Sequence, residues 1–99
     1  MRRVDWKPAE NLQKAIQAYG EALKIYTLDR FPMDYAMTQN NLGAAYSTLA
    51  EVEAKAENCK KAIQAHGEAL KVLTEEEFPE IYPLVKSNLI KLLDFCGGE

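Results

Sequence analysis

The residues that could do chemistry in this chain are few, and their spacing argues against most of it. His66 is the only histidine. An imidazole acts as a base or metal ligand in company, and no Cys or Ser stands three or four residues from it to form a nucleophile pair. It falls instead at an apolar register position, the counterpart of Tyr19, so a core role is expected. A small-ligand or metal site near His66 and Cys59 is the lesser reading. Cys59 and Cys96 have no metal-ligand spacing such as CxxC. They could form one bridge, but Cys59 lies inside a helical pattern and Cys96 at the C-terminal end, and two buried or half-buried thiols are expected. Glu75, Glu76 and Glu77 lack the glycine-containing loop of a cation site and read as a solvated turn. No catalytic residue, no metal and no cofactor is therefore expected, and the chain reads as a non-enzyme.

What must position these residues is a stretch that the chain contains twice. AIQAYGEALKIYTLDRFPMDYAMTQNNL, Ala15 to Leu42, returns as AIQAHGEALKVLTEEEFPEIYPLVKSNL, Ala62 to Leu89, at a constant offset of 47 residues. A fixed period of this size, rich in helix formers, is the mark of stacked helical repeats. Pro8 suits the first turn of a helix, and Leu12, Ala15, Ile16, Tyr19, Ala22, Leu23 and Tyr26 recur at spacings of three and four on one face. Phe31-Pro32 breaks that helix and opens the next, with Asp34 in its first turn and Phe31 expected to staple onto Tyr35. Tyr35, Thr38, Leu42, Ala45, Tyr46 and Leu49 then share a face. Gly43 costs roughly 1 kcal/mol in a helix interior, which predicts that another helix passes too close for a Cβ. Cys59, Ala62, Ile63, His66, Ala69, Leu70 and Leu73 repeat the first stripe, and Val85, Leu89, Leu92, Leu93 and Cys96 give the last helix its own. Four helices are expected, at about 8–27, 33–52, 56–74 and 82–96, in one domain spanning 1–99. Propensity alone would carry the second helix through residues 49–57, whereas the repeat calls for a turn there.

Leu42-Gly43-x-x-Tyr46 followed by Ala62-x-x-x-His66-x-x-Ala69 resembles the tetratricopeptide repeat, whose signature reads L-G-x-x-Y and then A-x-x-x-F-x-x-A on two antiparallel helices. The long period and the phrase from Phe31 to Gly43 look most like the variety found in kinesin light chains. The resemblance implies an all-α fold of antiparallel helix-turn-helix repeats, a tetratricopeptide-like α-solenoid with about four helices in the order B-A-B-A. Leu42, Gly43, Tyr46, Ala62, His66 and Ala69, with Ala15, Tyr19 and Ala22 of the first copy, would be its repeat-packing residues. Departures are visible too: His66 replaces the usual Phe, and Gly43 and Tyr46 become Ile90 and Leu93 in the second copy.

The resemblance further implies a groove lined by the A helices, with Asn40, Asn41, Met37, Ala44, Ser47 and Asn88 placed to touch a bound peptide. An Asn amide offers two donors and an acceptor, so it can pair with an extended backbone whatever its side chains. The Lys and Asn by which this family grips a C-terminal carboxylate are replaced by Asn40 and Ala44, so that function is not expected. The implied function is a non-catalytic scaffold for a protein or peptide partner. The alternative is self-assembly: wetting the unpaired face of the first helix forfeits about 25 cal/mol per Å² of apolar surface, so a homodimer is expected, face to face or by exchange of a helical half across 49–57, unless the chain is a piece of a longer array whose neighbours cover that face.

The totals agree with a small globular domain, at 47% hydrophobic and 27% charged residues. A net charge of −3, with scattered Lys and Arg, argues against nucleic acid as a partner. No apolar run approaches the roughly 20 residues needed to span a membrane, and Met1-Arg2-Arg3 leads into polar sequence, so no membrane association and a cytoplasmic location are expected.

Overall fold

The computed structural model describes residues 8–97. They form four helices, α1 (Pro8–Ala22), α2 (Pro32–Ala50), α3 (Lys55–Leu70) and α4 (Tyr82–Gly97), and no strand occurs among the described residues. Phe31 occupies the N-cap of α2 without a side-chain cap, Pro32 opens the helix and Asp34 lies in the first turn. Phe31 stays exposed, its ring meets Tyr26 edge-on at 5.8 Å, and its carbonyl accepts from Tyr35 N–H at 2.8 Å.

α1 and α3 end at Ala22 and Leu70, short of the expected 27 and 74, and for one reason in both copies. The last turn tightens to three-residue spacing, through Ile25 N–H to Ala22 O and Val72 N–H to Ala69 O. A threonine then organises the connection: Thr27 Oγ1 accepts from Arg30 N–H, and Thr74 Oγ1 from Glu77 N–H, each at 3.3 Å. Hydroxyls that bond the backbone three residues on compete with helix continuation.

Each helix packs against the next in sequence, α2 with α3 most extensively. Pairing runs antiparallel, since Tyr35 at the start of α2 bonds Glu68 late in α3, and Tyr46 later in α2 lies under Lys61 earlier in α3. Gln13 with Glu53, and Cys59 with Cys96, give the same sense to the other two pairs. The shape is elongated, with a radius of gyration of 14.6 Å against about 13 Å for a compact chain of 100 residues. Its core is Ala36, Ala69, Leu73 and Val85, backed by Leu70, Val72, Phe78 and Ile81. Alanines at 45, 62, 65 and 69 are buried and let α2 and α3 approach.

Residues 51–54 turn the chain between α2 and α3, so within one chain the helices do not fuse. Ala54 takes left-handed geometry there (φ 43°, ψ 56°). Buried Asn58 holds the turn, its Nδ2 donating to Glu53 O at 3.0 Å and its N–H to Ala54 O at 2.9 Å. Near the same end, early in α3, Cys59 is joined in a disulfide to Cys96 of α4, their Cα atoms 5.9 Å apart. That corrects the expectation of two thiols. Antiparallel α3 and α4 bring the start of one beside the end of the other, a proximity that separation in sequence conceals.

The two copies are buried unequally. Ala62, Ala65 and Ala69 are sealed, while their counterparts Ala15, Ala18 and Ala22 are half-buried or exposed. Leu73 is 0% exposed, against 37% for its counterpart Tyr26. The difference has a simple origin: α3 is covered by α2 and α4, whereas α1 has α2 alone as a principal neighbour.

Candidate interaction groove

A groove of about 420 Å³ runs between α2 and α4. Each side contributes one stripe at spacings of three, four and seven residues, Ala44, Ser47 and Thr48 of α2 with its C-cap Glu51, and Asn88, Lys91, Leu92 and Phe95 of α4. His66 of α3 lies between them at the floor.

His66 is held from two sides. Its Nδ1–H donates to Asn40 Oδ1 at 3.1 Å, which assigns the lone pair to Nε2. Against Gly43 the ring lies so close that a Cβ at that position would stand 2.9 Å from Cδ2, Cε1 and Nε2. The glycine thus makes room for an approaching group, as its position predicts, but that group is a side chain. Only 2% of His66 is exposed, and burial lowers its pKa below the ordinary histidine value. The ring is neutral at pH 7.

Above this floor Ser47 and Thr48 both donate to Ala44 O, at 3.0 and 3.1 Å, leaving their oxygens as acceptors. Glu51 and Lys91 supply one charge of each sign, and Phe95 has the Lys55 ammonium 4.4 Å from its ring centroid. This is a surface for polar and apolar contacts together. No group of three or more His, Cys, Asp or Glu close enough to hold a metal occurs among the described residues.

Of the six residues assigned to a peptide groove, Ala44, Ser47 and Asn88 line this one. Asn40 does not; it is turned to His66. Asn41 and Met37 are exposed on α2 outside the groove. The register explains why. Asn41 is the counterpart of Asn88, and the stripe that starts at 88 on α4 starts at 41 on α2, adjacent to the stripe that faces α4. Among the residues assigned to repeat packing, Gly43, Ala62, His66 and Ala69 are buried, and Leu42, Tyr46, Ala15, Tyr19 and Ala22 are half-buried.

Lys91 and Phe95, absent from the sequence assignment, are the counterparts of Ala44 and Thr48, and the 47-residue offset would have found them. His66 as a lining residue of the groove had no such signal, because its apolar register position marks burial alone. Compared with protein-family models, curated proteins and solved structures, the chain matches none.

Proposed function

We propose that this protein is a non-catalytic scaffold that holds an extended segment of a protein partner in the groove between α2 and α4. The observation that carries this reading is the pair of facing stripes, which offers donors, acceptors and apolar surface along one open channel. We further take the four helices as the B-A-B-A turns of a tetratricopeptide-like solenoid. The 47-residue offset, sequential antiparallel pairs and the Gly43–His66 approach support that arrangement. With one short groove the affinity is micromolar or weaker, since a contact well below the area of a standard interface gains little over the cost of association. Peptides selected by display against the immobilised protein should lose binding to an Asn88→Ala variant of unchanged helicity. Undiminished binding would count against the groove.

The second reading, homodimerisation through uncovered repeat faces, is favoured by exposed apolar residues on the outer helices and their connection. Ile25, Tyr26, Leu28 and Phe31 follow α1, and Leu84, Ile90 and Leu93 lie on α4. Nucleic acid is not a partner in either reading, given the net charge of −3. No helix among the described residues is long and apolar enough to cross a membrane. A cytoplasmic scaffold would carry Cys59 and Cys96 as thiols, because disulfides persist in oxidising compartments; thiol trapping in the source cell separates the two situations.

A further inference from the structure

Resting on the groove reading, we propose that the groove recognises an amide group, whose N–H donates to His66 Nε2 while its C=O accepts from Asn88 or Lys91. Asn40 takes the Nδ1 proton, so Nε2 is left as an acceptor with no hydrogen-bond partner among the described residues, on a residue only 2% exposed. Among the described residues no sealed side-chain nitrogen or oxygen lacks a hydrogen bond, so this nitrogen is not sealed. His66 lines the groove, and that is the open space beside this ring. Water can satisfy an acceptor that solvent reaches in an open channel, and a ligand N–H that displaces that water keeps the hydrogen bond.

The rest of the lining selects the ligand chemistry. On the α2 side the hydroxyl oxygens of Ser47 and Thr48 have given their protons to Ala44 O and present lone pairs, as does the Glu51 carboxylate. On the α4 side Lys91 presents an ammonium and Asn88 an amide. A carboxylate would suit Lys91 but would face the lone pairs of His66 and Glu51. An alkylammonium would suit the α2 side but would meet Lys91. An amide carries donor and acceptor together and answers both walls, with Leu92 and Phe95 against its apolar substituents. Burial of the imidazole keeps it neutral and Nε2 unprotonated near pH 7.

The test is an NMR titration of the full ¹⁵N-labelled chain with four small probes: N-methylacetamide for a backbone amide, propionamide for an Asn or Gln side chain, propionate and propylammonium. Backbone signals of Ala44, Ser47 and Asn88 report groove occupancy, and the long-range imidazole spectrum reports hydrogen bonding at His66 Nε2. At least one amide is expected to move both sets and to bind about tenfold more tightly than either ion, the scale of one net hydrogen bond. His66→Phe should abolish that preference. Asn40→Leu, which releases the tautomer lock, should weaken the amide response several-fold while leaving propionate unaffected, and it serves if His66→Phe fails to fold. Amide binding that survives both variants, or an equal or greater preference for propionate, overturns the amide assignment and leaves the groove reading standing. Groove signals unmoved by any probe overturn both.

Discussion

The His66 imidazole lies against Gly43 at a distance that leaves no room for one methyl group, 2.9 Å from where a Cβ would stand. Gly43→Ala gains roughly 1 kcal/mol of helix propensity but overpacks a ring pinned by Asn40, at a typical cost of about 1 to 3 kcal/mol. Chemical denaturation should show net destabilisation in the wild-type background. In a His66→Ser background the same change should become neutral or stabilising, a coupling that only direct contact produces.

Acid should find His66 before it finds the carboxylates. Its folded pKa is lowered by burial while the unfolded chain retains the ordinary value, so below about pH 6.5 the unfolded state takes up the proton more readily. The contribution is fully present above the unfolded pKa and is lost as pH falls toward the folded one. Unfolding free energy measured between pH 8 and pH 5 should therefore fall in the native protein, and His66→Phe should remove that part of the slope.

The Cys59–Cys96 bridge closes a loop with a sequence separation of 37, for which chain entropy gives a stabilisation of about 4 kcal/mol, with measured bridges mostly between about 2 and 4. Cys96→Ser should lower the melting temperature. Amide exchange should quicken first in α4, whose only extensive helix contact is α3. Rapid labelling of both cysteines in the untreated protein by a thiol reagent would show that the bridge does not form.

The α2–α3 turn contains a correctable strain. Ala54 in left-handed geometry costs about 1 kcal/mol or more, which glycine avoids. Ala54→Gly is expected to raise stability by up to about 1 kcal/mol despite the entropy glycine adds to the unfolded chain. Asn58→Ala, which leaves Glu53 O without its buried partner, is expected to lower it by about 1 to 2 kcal/mol. Both follow from urea midpoints.

Periodicity made the four helices legible, because apolar spacing of three and four dictates a face whatever the partner. The early stops at Ala22 and Leu70 were hidden, since Thr27 and Thr74 act through hydroxyl bonds that compete with helix and carry no hydrophobic signature. Gly43 announced a close approach but not the identity of the group. The groove was half legible: Ala44, Ser47 and Asn88 fall on the facing stripes, whereas Asn41 and Met37 share α2 but point to its exposed side. Asn40 is engaged by His66, 26 residues away, a pairing that spacing along α2 does not show.

The reading of this molecule as a groove scaffold is tested most directly by comparing Asn88→Ala with Asn41→Ala. The two positions are repeat counterparts of identical residue type, yet Asn88 lines the groove and Asn41 lies outside it. Affinity for a display-selected peptide, measured by calorimetry on both variants, should fall about fivefold or more for Asn88→Ala, as expected for a lost hydrogen bond, and stay unchanged for Asn41→Ala. Equal losses, or a loss confined to Asn41→Ala, would contradict the assignment of the groove between α2 and α4.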